Sequence, residues 1–341
     1  MLRIVLNLVL FAFSLLFIPS YANGDISLTV NIISHSLQNG AGKQVDVSVL
    51  KRELEKLGHQ VHLFDYYKVN KITPADINLF LAQFKSDWFS QAKLNWFIPN
   101  AECCDATPED LWKFDLVLCK TEESLRIFRP FSREVYYLGF TSLDRARPFV
   151  AKNFSKHLHI AGKSRMKGTE QVLKAWKTHS ELPHLILIKH KRRTHSLTIP
   201  PKNVKLVNKR ISNRSLLNLQ NQCGVHLCPS KTEGFGHYIM EAMSAEAVVI
   251  TTDAPPMNEF IKDPRCLVKY KSSGQWKYAT TYVINEKELA YKVKALQQLS
   301  HEELQAIGRQ NREEYLRRKA EFAQNFERLI NRAVDDLYGS N

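Results

Sequence analysis

Two glutamates stand eight positions apart across a glycine-containing turn in the segment SKTEGFGHYIMEA. Glu233 precedes the turn Gly234-Phe235-Gly236, and Glu241 follows it. The glycines allow left-handed backbone or a close approach to a ligand, and they expose N–H groups. Carboxylates accept hydrogen bonds from vicinal hydroxyls, as in sites that hold a ribose. The segment predicts a site for a polyhydroxylated ligand. The alternative is that Glu233 is an ordinary turn residue and Glu241 an exposed helix residue.

Three cations lie in the segment GKSRMKGTE, where a predicted strand is followed by a helix. They are Lys163, Arg165 and Lys167. The free N–H groups and the positive dipole end of a helix favour an anion, so three added cations suit a phosphate or a diphosphate. A solvated run of charges is the alternative for these residues taken alone. Together with the glutamates, they predict a site for a nucleotide sugar.

Both segments follow predicted strands, in a chain where short apolar strands alternate with helices. The predicted strands are 27–34, a strand beginning at residue 59, 94–100, 114–120, 133–140, 157–162, 184–190, 203–211, 224–230 and 247–254. The predicted helices are 45–58, 167–179, 212–223, 237–245 and a helical segment at the end of the chain. This alternation is typical of α/β proteins with parallel sheets, which bind ligands at the carboxyl ends of their strands.

The strand pattern restarts near residues 148–156, after Arg147-Pro148. The chain has 341 residues, of which 44% are hydrophobic, which is enough for two cores. We therefore predict a first domain over residues 23–150 and a second over residues 151–341. Two such domains would face each other across a cleft at the carboxyl ends of their strands.

The charge of the chain favours anionic partners. It carries 48 Lys+Arg against 34 Asp+Glu, a formal net charge of +14, which suits nucleic acid, an acidic membrane surface or phosphorylated ligands. A nucleic-acid partner is disfavoured because the sequence contains no motif that reads RNA or DNA. The six cysteines are too few and too scattered for a disulfide scaffold, and Cys223, His226 and Cys228 lack a fourth metal ligand.

The N-terminus has the layout of a secretory signal peptide. Arg3 precedes the apolar run 4–18, and Ser20-Tyr21-Ala22 follows it with small residues at the positions of a cleavage site. An uncleaved signal anchor is the alternative, since the run is only modestly short for a membrane span. We therefore exclude residues 1–22 from the fold. We expect a protein that is exported through the secretory pathway or is anchored in a membrane by this segment.

Three segments, in this order, resemble those of retaining GT-B glycosyltransferases, particularly glycosyltransferase family four. Residues 39–65 are similar to the glycine loop and first helix of that family, 161–176 to its diphosphate-binding segment, and 230–260 to its glutamate-x7-glutamate region. The resemblance covers about residues 27–262. It implies the GT-B fold, in which two Rossmann-like parallel-sheet domains face each other across a cleft and C-terminal helices cross back to the first domain.

The resemblance also implies roles for the site residues. Glu233 would contact the donor sugar, Glu241 the ribose, and the basic residues the leaving diphosphate. The implied catalytic residues are Glu233, Lys167 and Arg165. The implied donor-binding residues are Lys163, Gly234, Phe235, Gly236, Glu241, Gly40 and Gly42, and Asn100 and Glu102 would face the acceptor or the donor sugar.

The implied activity is transfer of a hexose from a nucleotide-diphosphate sugar to a glycan, lipid or protein acceptor, with retention of configuration. The resemblance implies no cofactor, and the absence of an Asp-x-Asp motif from the sequence agrees with transfer that is independent of metal. The sequence departs from the family at two places. Glu246 stands where glycine is usual, and Pro255-Pro256 stands ahead of Glu259 where the family often has two glycines. Because proline has no N–H to offer a donor, a GT-B protein that binds sugar or nucleotide without turnover is the alternative.

Overall fold

The computed structural model describes residues 26–35, 37, 42–162, 164–189 and 200–339. Two six-stranded parallel sheets form the body of this part of the chain. The first sheet contains β1 (Thr29–Ser34), β2 (Gln60–Asp65), β3 (Ala75–Leu81), β4 (Ala92–Ile98), β5 (Leu116–Cys119) and β6 (Val135–Tyr137). The second contains β7 (Asn153–Gly162), β8 (His184–Lys189), β9 (Val204–Val207), β10 (Cys223–Cys228), β11 (Val248–Thr252) and β12 (Leu267–Val268).

Helices and one hairpin surround the sheets. The helices are α1 (Gly42–Lys56), α2 (Pro108–Leu111), α3 (Glu122–Phe128), α4 (Thr169–Thr178), α5 (Asn213–Gln222), α6 (His237–Ser244), α7 (Glu286–Leu296) and α8 (His301–Tyr338). The antiparallel hairpin is formed by β13 (Tyr270–Trp276) and β14 (Ala279–Ile284). Short polar side chains begin several helices: the Ser212 hydroxyl accepts from the N–H of Ser215, and Ser300 forms a capping box with Glu303.

The order of the strands explains where a ligand can bind. The first sheet has the order β2-β1-β3-β4-β5-β6 and the second β12-β11-β10-β7-β8-β9. In the second sheet, β7 and β10 are neighbours, and the chain runs outward from them in opposite directions. Such a switch point opens a crevice at the carboxyl ends of the two strands. The segments with the cations and the glutamates follow β7 and β10, so the fold brings them to this crevice.

Helix α8 joins the second sheet to the first. In its first half the Asn311 amide donates to the carbonyl of Ala247, beside β11, at 2.9 Å. In its second half the Asn325 amide donates to the carbonyl of Leu138 at 3.2 Å, and Phe322 packs on Phe140 with ring centroids 4.9 Å apart. The apolar face that its helical spacing predicts is buried, which confirms that the end of the chain crosses back to the first domain.

The hairpin β13–β14 also reaches the first sheet. The indole N–H of Trp276 donates to the carbonyl of Glu102 at 3.0 Å, and the Tyr278 hydroxyl donates to the carbonyl of Ala106 at 2.7 Å. The Tyr278 ring packs against Phe128, with centroids 5.3 Å apart. A segment of the second domain therefore contacts the loop that follows β4 in the first.

The two parallel-sheet domains and the GT-B fold are confirmed. The sequence analysis did not predict the hairpin or β3, and the predicted strand 203–211 is shorter, ending at Val207. The domain limits 23–150 and 151–341 stay a prediction. All six cysteines carry free thiols.

The prediction of location needs correction. The expectation of a membrane anchor is not met within the part of the chain that the structure describes, where no helix is both long and apolar enough to cross a membrane. Residues 1–22, to which the signal peptide or signal anchor was assigned, lie outside the described residues.

Candidate donor site

The predicted acidic and basic segments meet at the carboxyl ends of β10 and β7. The Lys167 ammonium lies 2.6 Å from Oε1 of Glu233, and both side chains are largely buried. The same ammonium lies 3.6 Å from the centre of the Tyr238 ring. The Ser230 hydroxyl donates to Glu233 and contacts the Tyr238 hydroxyl at 2.5 Å. The Glu233 carboxylate is therefore held in one orientation at the mouth of the crevice, with a cation beside it.

Two glycines in left-handed conformation begin the helices on either side of this pair. Gly168 has φ 65° and precedes α4, and Gly236 has φ 106° and precedes α6. A Cβ at Gly168 would lie 2.0 Å from the carbonyl oxygen of Pro229, so the start of α4 packs directly on the loop after β10. The two loops are also joined by a hydrogen bond from the Lys231 N–H to the carbonyl of Met166 at 2.6 Å.

Replacing Gly168 with alanine is expected to lower the free energy of unfolding by about 2–5 kcal/mol. This is the sum of the cost of a left-handed alanine and the cost of the overlap with Pro229. Gly162→Ala is the matched control, because Gly162 also has positive φ but its Cβ would meet nothing within 4 Å. That variant is expected to lose only about 1–2 kcal/mol. Urea denaturation followed by circular dichroism measures both, and equal losses would contradict the packing that we describe.

Further cations lie beside the start of α4. A pocket at the carboxyl ends of β7 and β8 is lined by Arg165, Lys189 and Lys231. Sequence reasoning found Arg165 but missed the other two. The signal was available, since Lys189 ends a strand and Lys231 follows one. Glu170 also lines the pocket, with its Oε2 3.9 Å from the Lys231 ammonium. The pocket therefore combines an excess of cations with a helix N-terminus, which is the chemistry of a phosphate site.

Glu241 lies on the second turn of α6 and is buried. Its carboxylate is 3.3 Å from Nε of Arg145, and its Oε2 accepts a hydrogen bond from the Gln220 amide at 2.9 Å. Arg145 also donates to Oδ1 of Asn213 at 2.9 Å. The structure does not bring Glu241 into contact with Glu233. Instead it places an arginine of the interdomain segment on this carboxylate, and sequence reasoning missed that arginine.

Asn100 and Glu102 approach the crevice from the first domain. A Cβ at Gly234 would lie only 2.5 Å from the Asn100 side chain, so the two loops touch. Burial raises the pKa of Glu102, and the negative charge of Glu233 raises it further. Oδ1 of Asn100 and Oε2 of Glu102 are buried and have no hydrogen-bond partner among the described residues. These two polar atoms therefore lie, without a partner in the described part of the chain, where the loops of the two domains meet.

A buried ionic cluster connects the two domains next to these loops. The Lys120 ammonium lies 3.0 Å from Oδ2 of Asp46, with 2% and 4% of the two side chains exposed. Oδ1 of Asp46 lies 2.8 Å from Nε2 of His237, in α6 of the second domain, and Nδ1 of His237 contacts the Ser142 hydroxyl at 3.0 Å. Sequence reasoning missed this cluster, because its members are far apart in the chain.

The loop after β11 also contacts the first domain. The Glu259 carboxylate accepts hydrogen bonds from the N–H groups of Glu122 and Glu123 at 3.0 and 2.9 Å, at the start of α3. Burial raises the pKa of Glu259. This glutamate therefore caps a helix of the opposite domain. Pro255 and Pro256 line a narrow pocket with Glu233 and Gly234.

The remaining predicted site residues fall into two groups. Gly40 and Lys163 lie outside the described residues. Gly42 begins α1 next to His237. A Cβ added at Gly42 would lie 3.2 Å from Cδ2 of the His237 ring. The Phe235 ring is buried between Phe140 and Phe260, with centroids 5.3 and 5.4 Å away. Phe235 therefore contributes a packed ring and leaves only its backbone to face a ligand.

Comparison with known proteins agrees with this fold. The two facing parallel-sheet domains are the GT-B arrangement of glycosyltransferases, and the family model of glycosyl transferases group 1 matches residues 145–298. That range contains the acidic and basic segments of the crevice. No curated protein sequence matches the chain.

Several solved structures share the fold at low sequence identity. The glycosyltransferase from Rickettsia africae ESF-5 has a TM-score of 0.68 at 13% identity, over 92% of this chain and 100% of that one. HepE from Anabaena, solved with UDP and glucose, has a TM-score of 0.61 at 14% identity, over 89% and 99% of the two chains. The GtfA/B complex matches 77% of this chain with a TM-score of 0.57 at 17% identity, and this chain spans 58% of that chain.

Proposed function

We propose that the protein is a glycosyltransferase that moves a sugar from a nucleotide-diphosphate sugar to an acceptor, with retention of configuration and without a metal or other cofactor. The observation that carries the proposal is the contact of Lys167 with Glu233 at 2.6 Å, at the switch point of a Rossmann-like sheet. The match to the group 1 glycosyltransferase family supports it. So does the presence of UDP and glucose in HepE, a structure of the same fold.

The proposed mechanism divides the donor between two sets of groups. Arg165 and Lys167, with the N-terminus of α4, stabilise the negative charge that develops on the leaving diphosphate. Lys163, Gly40 and Gly42 belong to the same proposed set. Glu233 accepts a hydrogen bond from a hydroxyl of the sugar, and its contact with Lys167 links recognition of the sugar to the diphosphate. No side-chain nucleophile takes part, so the rate depends on positioning and on stabilisation of the leaving group.

The remaining site residues complete the proposal. The backbone of Gly234 and Gly236 lies beside the sugar and the phosphates, and Glu241 receives the ribose when Arg145 gives up part of its contact. Asn100 and Glu102 offer their unpartnered oxygens to hydroxyls of the donor sugar or of the acceptor. We propose a glycan, a lipid or a protein as the acceptor and no nucleic acid.

A second candidate function is binding of the donor without turnover. Two observations favour it: Glu241 is already engaged by Arg145 and Gln220, and Glu259 caps α3 of the first domain. Both carboxylates are therefore already bound by groups of the protein itself. Binding without turnover predicts affinity for a nucleotide sugar with no release of nucleotide.

The test is a thermal-shift titration of the whole chain with UDP-, GDP- and ADP-sugars, followed by an assay of nucleotide release with and without EDTA. Under the proposed function, at least one donor raises Tm. At one hundred times its Kd, that donor should stabilise the folded protein by about 2.7 kcal/mol. The rate of nucleotide release should be the same with and without EDTA. Arg165→Ala/Lys167→Ala should abolish the shift. Lys177→Ala, a loss of charge at the exposed end of α4, should preserve it.

The outcomes separate the candidates. A shift with release of nucleotide that depends on acceptor supports transfer, and a shift without release in any acceptor mixture supports binding alone. No shift with any nucleotide sugar would contradict both.

A further inference from the structure

A groove lies at the other end of the second sheet, at the amino ends of β7 and β10 and along the start of α8. It consists of two cavities of about 500 and 390 Å³ that share Lys152 and Phe154 in their walls. We call it the hinge groove, because the segment that connects the two sheets, residues 146–152, forms one side. The carboxyl ends of the same strands hold the candidate donor site, so the groove is a separate site.

One half of the hinge groove is basic. It is lined by Arg147 and Arg309, which are exposed, and by Lys152, which is half-buried, and within the described residues none of the three forms a salt bridge. Burial lowers the pKa of Lys152, which is the expected effect on a cation that has lost water. Arg312 also lines this half, but it forms a pair with Asp144 at 2.6 Å.

The acid in this half is Glu246, which follows α6. Glu246 has φ 55°, a left-handed conformation that costs a non-glycine residue stability. Helix α8 crosses this turn so closely that a Cβ at Gly308 would lie 2.3 Å from the carbonyl oxygen of Glu246. The charge of Glu246 acts on Lys152, whose pKa it raises against the effect of burial. The three cations still outnumber this one carboxylate in the described lining, so the basic half keeps an excess of positive charge.

The other half of the hinge groove combines exposed polar side chains, namely Asn153, Ser155, Gln297 and His301, with buried ones. Except for His157, the buried side chains of this lining are apolar. They include Phe154, Val225, Val293, Leu296 and Leu304. His157 also lines it, is 1% exposed, and its Nδ1 has no hydrogen-bond partner in the described part of the chain. A cavity with buried apolar side chains that shares Lys152 and Phe154 with a basic cavity matches a ligand with an anionic head and an apolar chain.

We infer that the hinge groove binds an amphipathic anion, with its head group against Arg147, Lys152 and Arg309 and its apolar chain along Phe154, Val293 and Leu296. Neutral water-soluble ligands would leave the cations unpaired, and inorganic anions would leave the apolar walls in contact with water. An amphipathic anion satisfies both halves at once. The inference does not rest on the proposed function, because no residue of the donor site lines the groove.

Isothermal titration calorimetry of the whole chain with decyl phosphate, below the concentration at which it forms micelles, tests the inference. We expect saturable binding that weakens at least tenfold in Arg147→Ala/Lys152→Ala/Arg309→Ala. Arg328→Ala, which removes an exposed arginine further along α8, should bind as the unchanged protein does. Glu246→Gln should bind more tightly, by about twofold to tenfold, because a repulsive charge is removed. A damaged fold would not produce that gain.

Other ligands and one donor-site variant complete the test. Inorganic phosphate and decanol should each bind at least tenfold more weakly than decyl phosphate, and decanoate reports whether a carboxylate head replaces a phosphate. Lys167→Ala should bind decyl phosphate normally. Equal binding of inorganic phosphate and decyl phosphate would overturn the role of the apolar half. Unchanged binding in the triple variant, or loss of binding in Lys167→Ala, would overturn the assignment to the groove.

Discussion

Replacing Glu233 with alanine is expected to lower sugar transfer by about 10²–10³-fold, the effect of removing one preorganised group from a transition state. The physical reason is the position of its carboxylate, which the Lys167 ammonium and the Ser230 hydroxyl hold at the crevice. The variant loses the acceptor for a hydroxyl of the sugar. It also releases the Lys167 ammonium from the orientation in which, under the proposed function, it would face the diphosphate. Both losses would remove interactions made in the transition state, one to the sugar and one to the leaving group, so kcat should fall together with kcat/KM.

The measurement is initial-rate kinetics with the donor that the thermal-shift titration identifies. Glu233→Gln separates charge from shape, because its amide keeps one oxygen acceptor but cannot form the ion pair with Lys167. We expect it to retain more activity than Glu233→Ala. Glu327→Ala, at an exposed position of α8, controls for the loss of a carboxylate from the chain. Unchanged turnover in Glu233→Ala, with the fold intact by circular dichroism, would contradict the proposed role.

The contact between Glu233 and Lys167 shows which part of a site a sequence can predict. Each residue follows a strand that apolar periodicity identifies, and parallel strands present their carboxyl ends at one edge of a sheet. Neighbouring strands at a switch point therefore bring the two loops together without further information. The same reasoning placed Asn100 and Glu102 at the cleft from the first domain, because both follow β4.

The partner of Glu241 shows where such reasoning stops. Helical position predicts that its carboxylate points towards the cleft, but Arg145 reaches it from a segment with no regular secondary structure. Nothing in the sequence near Arg145 indicates that contact. The hairpin β13–β14 was missed for a related reason. Its first strand, Tyr270–Trp276, is exposed and lacks the apolar run that predicts a buried strand. The contacts of Trp276 and Tyr278 with the first domain come from residues far away in the chain.

The buried cluster of Asp46, Lys120 and His237 is a more important contact that the sequence does not predict, because its consequences for stability are large. Asp46 falls within an amphipathic helix, and Lys120 follows a buried strand. Local periodicity treats both as solvated charges. Only the packing of α1 against the end of β5, and of α6 against α1, buries them together. A charge can be buried in this way only if its partner is buried with it, since an isolated ion loses its hydration.

Replacing Asp46 with alanine is therefore expected to lower the free energy of unfolding by about 3–5 kcal/mol, because it leaves the Lys120 ammonium buried without a counterion. The same change removes the contact of the first domain with His237. Lys120→Met in the Asp46→Leu background should recover most of the loss, because an apolar pair has no charge to desolvate. Urea denaturation measures Asp46→Ala, Asp46→Leu and the double variant. Equal stability of Asp46→Ala and the unchanged protein would contradict the burial of this pair.

The pH dependence of stability tests the same cluster in the unchanged protein, by titrating Asp46 instead of replacing it. Burial alone would raise the pKa of Asp46, but Lys120 and His237 outweigh burial and lower the pKa to about 2. Because the pKa in the folded protein lies below its ordinary value near 3.9, the ionised carboxylate stabilises the fold at every pH above about 4. That contribution, about 2 kcal/mol, is lost as the pH falls from 4 through 2. Asp46→Asn cannot titrate, so its free energy of unfolding should fall less steeply over this interval. Parallel curves for Asp46→Asn and the unchanged protein would show that Lys120 and His237 do not hold the carboxylate in its ionised form.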